Sequence, residues 1–284
     1  MVKAISTTGP GSAAEIAKRC VDHSADLILV AGGDGTINEV ANGMIYSDVP
    51  LAILPGGTAN VLAMETGIGR WMLQAADHIG DWIPERIAVG LHTDGFERPP
   101  RYFLLMCGAG LDAHIVYHIS ASLKAALGKA SYWIGGFSQL GRKFPEFDVE
   151  VGGKTYRCSF ALISRVRNYG GDLNIAPSIS MLDNEFEVVL FSGNSSFRYL
   201  GYMLGVVTGR LDRTPGVTVL RTGTVSLSAS DSRIYTHVDG EYAGPVPATL
   251  QIVPKALKLL FPPRYRERYA AAANAREWTT SLTR

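Results

Sequence analysis

The sequence predicts an α/β protein of two domains, a parallel α/β domain over residues 1–84 followed by a β-rich domain over residues 85–255. Three observations carry this. Two units of apolar strand, glycine turn and helix follow one another before residue 66, which is the pattern of a parallel sheet. Beyond residue 84 that pattern gives way to short runs of alternating or aromatic residues separated by Gly, Pro, Asn and Asp. The length, 284 residues, suits two domains of roughly 100–200 residues each.

The first helix is expected over Ala13–Asp22, after a Gly/Pro turn, with Ala14, Ile16, Ala17 and Cys20 on one face. Leu27-Ile28-Leu29-Val30 is a continuous apolar run and reads as a strand covered on both faces, stopping at Gly32-Gly33-Asp34-Gly35. A helix should start near Thr36. Leu51 to Leu54 is the second strand, Pro55-Gly56-Gly57 breaks it, and Thr58 to Glu65 reads as a helix with Thr58 as its cap. In the second domain the expected strands are Arg86–His92, Tyr102–Cys107, Phe147–Val151, Thr155–Ser164, Glu187–Phe191, Val217–Leu220, Thr224–Ser228, Ile234–Val238 and Thr249–Val253. Helical insertions are expected at roughly Ala113–Leu140 and at Phe197–Thr208. A last strand, Ala256–Phe261, is expected to return to the first domain with the tail to residue 284.

Composition narrows the function. Lys and Arg number 27 against 26 Asp and Glu, a net charge of +1, which argues against nucleic acid as a partner. The three cysteines, Cys20, Cys107 and Cys158, lack any C-x-x-C spacing, so they read as small buried hydrophobes in a reducing cytoplasm. No apolar stretch approaches the ~18 residues of a membrane span, and Met1 to Ser6 holds no apolar signal region.

The chemistry concentrates at the glycine turns. A glycine turn between a strand and a helix aims backbone N–H groups at one point, and the helix N-terminus adds roughly half a positive charge there. Gly32-Gly33-Asp34-Gly35-Thr36 meets this description, and Pro55-Gly56-Gly57-Thr58-Ala59-Asn60 ends the next strand, so both should open on one edge of the sheet. Together they suit a polyphosphate. Asp34 beside such a cradle calls for a cation, and Mg²⁺ with a nucleotide answers both needs. Asp239-Gly240-Glu241 reads as a hairpin turn after the alternating run from Ile234. His114 and His118 stand four apart near Asp112, a spacing compatible with a metal pair, although a packed helix explains it adequately. Lys124, Lys129, Arg142 and Lys143 lie among aromatics in an acid-free stretch, and Lys154, Arg157, Arg165 and Arg167 form a second one. Such composition suits an anionic membrane surface.

The run from Val30 to Val40, with Gly32-Gly33-Asp34-Gly35-Thr36 at its centre, and the run Leu54 to Asn60 resemble the catalytic domain of the diacylglycerol kinase family. Sphingosine, ceramide and bacterial lipid kinases belong to it. Cys107-Gly108-Ala109-Gly110-Leu111-Asp112-Ala113, Asn174-Ile175-Ala176-Pro177 and Val238-Asp239-Gly240-Glu241 agree with it, over nearly the whole chain from Ser6 to about Pro262. The resemblance implies a doubly wound N-terminal domain of NAD kinase/diacylglycerol kinase type, a C-terminal β-sandwich-like domain and an active site in the cleft. It also implies ATP, Mg²⁺ and phosphoryl transfer to a lipid hydroxyl. It places nucleotide contacts on Thr7, on Gly33, Asp34, Gly35, Thr36, Ile37, Asn38 and Glu39, and on Thr58, to which the two loops add Gly32, Gly57 and Asn60. It makes Glu241 the general base, with Asp34 and Asp239 as further catalytic candidates.

A structural metal is implied at Asp183, with Ser180 and Glu185 as carbonyl donors. Leu182 and Asn184 stand where the family has Asp and Gly, which puts the metal's affinity in doubt. Val2–Thr8 corresponds to the family's second strand, so a first strand and helix of about 35 residues, with a loop reading Asn-Pro-x-Ser-Gly, are absent. The expectation from that absence is an open edge on Leu27–Val30 and weak ATP binding. The partners expected are ATP and a lipid substrate at a membrane surface, with a homodimer as a possible assembly, and the expected location is cytoplasmic with peripheral membrane association. A soluble-substrate kinase of NAD kinase type and a non-catalytic nucleotide- or lipid-binding protein are the alternatives.

Overall fold

A computed structural model describes residues 2–96, 98–110, 144–169, 173–230 and 234–269. The first domain runs α1 (Ser12–Asp22), β1 (Ile28–Gly32), α2 (Asp34–Met44), β2 (Leu51–Pro55), α3 (Val61–Thr66) and α4 (Met72–His78). Strands β1 and β2 pair in parallel from Ile28↔Leu51 to Gly32↔Pro55. Both glycine loops therefore leave the same end of the sheet. Val30 packs with Ala13, Ala17, Ile37 and Ala41 in the core beneath α1 and α2.

Strand β1 corrects one expectation. It is an edge strand paired only with β2 among the described residues, and it is not covered on both faces. Leu27 and Leu29 are 40% and 48% exposed. Their side of the strand faces the α4 side of the sheet, because Leu29 pairs with Ala52 and Ala52 packs against Ala75 of α4. Helix α4 covers β2 but leaves β1 bare. Residues 2–8 are exposed and form no strand, since an extended segment without a ladder partner leaves its backbone groups to water.

Helix α3 begins at Val61, three residues after the expected start, and Thr58 does not cap it. Asn60 takes φ 49°, and its side chain bridges to the N–H and C=O of Gly57 at 2.8 and 2.9 Å. This side-chain bridge back to Gly57 holds residues 57–60 outside the helix.

The second domain runs β3 (Ile83–Asp94), β4 (Arg101–Phe103), β5 (Met106–Gly110), β6 (Phe147–Val151), β7 (Lys154–Cys158), β8 (Phe160–Ser164), β9 (Asn168–Tyr169), β10 (Leu173–Asn174) and β11 (Phe186–Phe191). It continues with α5 (Ser196–Val207), β12 (Val217–Thr222), β13 (Thr224–Ser228), β14 (Tyr235–Val238), β15 (Glu241–Pro245) and β16 (Ala248–Phe261). Two expected strands are split and two are fused. Tyr102–Cys107 divides because the N–H groups of Leu104, Leu105 and Met106 turn to the Asp239 carboxylate. Thr155–Ser164 divides at Ser159, whose N–H donates to Phe191. The runs from Thr249 and from Ala256 form one strand with a bulge between Val253 and Leu257, where Lys255 takes φ 52°. The helical insertion expected near 113–140 lies outside the described residues.

A six-stranded antiparallel sheet, β12-β11-β8-β5-β14-β15, packs on part of an eight-stranded sheet, β1-β2-β16-β13-β6-β7, in which β3 flanks β16 and carries β4. Phe103, Phe147, Phe186, Val188, Val225 and Leu227 fill the space between them, with Phe103 and Phe186 stacked at 5.7 Å. Strand β16 joins the two parts. It pairs with β3 from Ala248 to Phe261, with β13 at its start, and in parallel with β2 through Leu259↔Leu51. The result is a mixed α/β N-terminal domain with a β-sandwich-like C-terminal domain.

Candidate active site

The loops after β1 and β2 touch backbone to backbone. A Cβ on Gly57 would lie 2.6 Å from the Gly33 Cα, so no larger residue fits there without a backbone shift, and one on Gly56 would crowd the Gly32 nitrogen at 3.1 Å. Gly33 is extended and α2 starts at Asp34, leaving the first N–H groups of α2 at the mouth of a cleft of about 350 Å³. Thr7, Gly33, Gly35, Thr36, Glu39 and Glu241 line it. The cleft thus collects residues from the amino end, from the first two turns of α2 and from a hairpin some 200 positions later in sequence.

That hairpin joins β14 to β15 through Asp239 and Gly240 at φ 50° and 81°, the left-handed pair a two-residue turn requires. The Asp239 carboxylate accepts N–H bonds from Leu104, Leu105 and Met106, each at 2.9 Å. Its own N–H donates to Met106 at 2.9 Å. Burial still pushes its pKa up to about 6, against those three bonds, and the charge of Asp34 adds to the rise. Asp239 therefore anchors the hairpin, and it does not line the cleft.

The anchored hairpin delivers Glu241. Its Oε2 accepts from Arg101 Nη2 at 2.8 Å, while Arg101 Nη1 donates to the Tyr242 carbonyl at 2.9 Å. Its Oε1 would stand 3.1 Å from a Cβ on Gly35, beside the first turn of α2. Beyond this ion pair lies a second cavity of about 290 Å³ lined by His92, Asp94, Arg98 and Tyr242. Glu39 accepts the Ala13 N–H at 3.2 Å and so ties α1 to the cleft wall.

Asp34 has a different place from the one expected. Its carboxylate oxygens accept the N–H groups of Val61 and Leu62 at 3.0 and 3.1 Å and cap α3 from 27 residues away. Ile37 and Asn38 lie on the buried side of α2, with Asn38 accepting from Asn42. Gly32 sits in the β1 ladder, and Asn60 is occupied by Gly57. Thr58 is exposed on the second loop. None of these five, nor Asp34 itself, is among the residues lining the cleft.

Asp183, Ser180 and Glu185 form a separate cluster in which Arg221 donates to the Asp183 carboxylate and Arg165 to the Asp183 and Glu185 carbonyls. Within the second basic stretch Arg165 is fully buried and Arg167 pairs with buried Glu65, while Lys154 stays exposed and Arg157 pairs with Asp148 at the surface. Lys124, Lys129, Arg142 and Lys143, and the pair His114 and His118, lie outside the described residues. Cys107 and Cys158 are buried, and burial pushes the pKa of the Cys158 thiol upward. Among the described residues no helix is long and apolar enough to cross a membrane.

Sequence reasoning missed Arg101, for which a single arginine 140 positions from its partner leaves no signal. It also missed the N-terminus of α1 as a cleft wall, although Gly9-Pro10-Gly11-Ser12 is a third glycine-containing turn before a helix.

Known proteins resemble this chain in sequence and fold. Residues 1–91 match the diacylglycerol kinase catalytic domain. Residues 106–261, more than half the chain, match the YegS C-terminal NAD kinase beta sandwich-like domain. A diacylglycerol kinase of Bacillus subtilis is 29% identical over 247 residues, covering 85% of this chain and 79% of that protein. One of Mycobacterium tuberculosis is 28% identical over 249 residues with the same coverage. A crystal structure described as a diacylglycerol kinase from Bacillus anthracis superposes with a TM-score of 0.74 at 20% identity, over 92% of this chain and 85% of that one, and so shares the fold. By its two domains and their order, the chain belongs to the family that carries the YegS C-terminal NAD kinase beta sandwich-like domain, preceded here by a match to the diacylglycerol kinase catalytic domain.

Proposed function

We propose that this protein transfers the γ-phosphoryl group of ATP to the hydroxyl of diacylglycerol or a related lipid alcohol. The observation that carries the reading is Glu241 held against the first turn of α2 at a glycine-lined cleft. Exposed N–H groups at that helix N-terminus, with Thr7 and Thr36 beside them, suit phosphate oxygens. In the transfer, a new P–O bond forms to the lipid oxygen, the bond to the ADP oxygen breaks, and the hydroxyl proton passes to Glu241 Oε1. Arg101 holds the other oxygen and fixes the direction of that carboxylate.

Magnesium ions, when bound, neutralise phosphate charge. Glu39 and Glu241 are the carboxylates at the cleft, and among the described residues no three acidic, His or Cys side chains form a cage. The donor set fits an ion that arrives with the nucleotide's own phosphates. The acceptor brings the protein to a membrane surface, and the stretch holding Lys124, Lys129, Arg142 and Lys143 is the proposed contact.

The test is phosphate transfer from labelled ATP to diacylglycerol in detergent micelles. Glu241→Gln, which keeps the shape and removes the basic oxygen, is expected to lower kcat at least ~10-fold with little change in melting temperature. Wild-type rates in that variant would remove the base from the proposal. Transfer to NAD⁺ with none to lipid would move the acceptor to the soluble class.

A further inference from the structure

We infer that the turn over residues 178–187 is held by two arginines of this chain and takes no divalent cation. The family resemblance implies a structural metal here, bound by Asp183 and the carbonyls of Ser180 and Glu185. Each of those donors is already engaged. Asp183 Oδ2 accepts the Ser180 N–H at 2.9 Å and Arg221 Nη2 at 2.8 Å, and Oδ1 accepts the Tyr269 hydroxyl at 3.1 Å. The Ser180 carbonyl accepts the Asp183 N–H at 3.0 Å, and the Glu185 carbonyl receives Arg165 Nη1 at 3.5 Å. A hard divalent ion needs several such oxygens turned to one centre at ~2.0–2.6 Å, and here they are turned instead to two guanidinium groups, two backbone N–H groups and a tyrosine hydroxyl.

The two guanidinium groups stand where positive charge is needed. Arg165 is 0% exposed, and its Nη2 and Nη1 reach the Met181 and Asp183 carbonyls at 2.7 and 3.0 Å. Carbonyls of one turn converging on a buried cation is the arrangement of a metal loop, with the cation supplied by a side chain. Arg221, from β12, adds Nε to Glu185 Oε2 at 3.2 Å and Nη1 to the Ser178 carbonyl at 3.0 Å. Its fork spans both acids and the backbone, a geometry that suits arginine and that lysine cannot copy. A divalent ion at Asp183 would have to expel Arg221 and then sit beside Arg165. The sequence departures agree, because Leu182 and Asn184 replace the family's Asp and Gly at this turn.

The inference is independent of catalysis, so it is tested on the full chain without nucleotide. Melting temperatures in EDTA and in millimolar Mg²⁺ or Ca²⁺ are expected to agree within about 1 °C, and desalted protein is expected to carry no stoichiometric metal. A fall of several degrees in EDTA, absent from Asp183→Asn, would overturn the inference, as would a retained equivalent of metal that Asp183→Asn abolishes. Arg221→Met is expected to melt several degrees lower, with Arg221→Lys restoring only part of the loss. An Arg221→Met protein as stable as wild type would show that the guanidinium does not hold the turn. The wild-type EDTA comparison decides the matter even if that variant fails to fold.

Discussion

Asp34 shows how one residue can carry a structural role that its sequence context does not announce. A carboxylate in a glycine turn suggests cation chemistry, yet both its oxygens cap α3. Removing a capping carboxylate costs about 1–2 kcal/mol, so Asp34→Ala is expected to lower the melting temperature of the nucleotide-free protein by ~3–6 °C. A residue that only met ligands would leave that temperature unchanged. His92 carries a second prediction at this scale. Burial pushes its pKa down to about 4, with Nε2 bonded to Thr236 at 3.0 Å, so the folded protein holds it neutral. The unfolded chain takes the proton from pH ~6.5 downward. The stability this residue contributes is therefore complete above pH ~6.5 and is lost as pH falls towards 4, by ~3 kcal/mol. Asp239 acts oppositely. Its raised pKa of about 6 means that stability is lost as pH rises from ~4 to 6, and the two effects largely offset one another in wild type. His92→Gln removes one of them, so its melting temperature relative to wild type is expected to climb as pH drops from 6.5 to 4, which a pH series of thermal melts would check.

Among the elements, α3 is short, and side chains at both ends hold it. Asp34 caps its start. Near its end Glu65, fully buried, accepts from Arg167 Nε and from the N–H of Arg167 at 3.0 Å each, and from Asn168 Nδ2 at 3.0 Å. Helix α3 is thereby latched to β9 of the other domain. Glu65→Gln places an amide N–H₂ against donors and leaves Arg167 without its counter-charge. The expected cost is ~3 kcal/mol, or a melting temperature lower by about 6–12 °C in calorimetry. A loss below a degree would mean that the domains are held elsewhere. The β14–β15 hairpin follows the same principle, since its Asp-Gly turn is legible from sequence while its direction depends on Asp239 reaching three N–H groups near position 105.

Across the whole molecule, β16 determines how the two parts meet. Its first half lies in the β-sandwich-like domain and its second half is the parallel neighbour of β2, so the cleft and the sandwich share one strand. The opposite edge is less protected. Strand β1 leaves one edge unpaired among the described residues, and Leu27 and Leu29 lie exposed on the α4 side of the sheet. At the start of α4, Trp71 and Leu73 are 70% and 81% exposed. An open edge with apolar side chains invites pairing between chains. Sedimentation across a concentration series is expected to show self-association that Leu29→Lys reduces, with a change in stability of less than ~0.5 kcal/mol because that side chain packs against little. Identical sedimentation of the two proteins would exclude this edge as the contact.

The sequence by itself determined what depends on neighbours along the chain. Glycine turns between strand and helix, the Asp239-Gly240 hairpin and the alternation of the β-rich part are local steric and periodic facts, and they located the cleft, the hairpin and both domains. Tertiary structure decided everything that depends on which side chain reaches which distant backbone group. Asp34 became a cap, Asp239 an anchor and Arg101 the partner of Glu241 only because folding brought separations of 27, about 134 and 140 residues to hydrogen-bonding distance. Arg165, one of four basic residues in an acid-free stretch, looked like surface until the fold surrounded it with the carbonyls of one turn. Charge and spacing are properties of the chain, whereas the occupant of a lone pair is settled only when the chain has closed on itself.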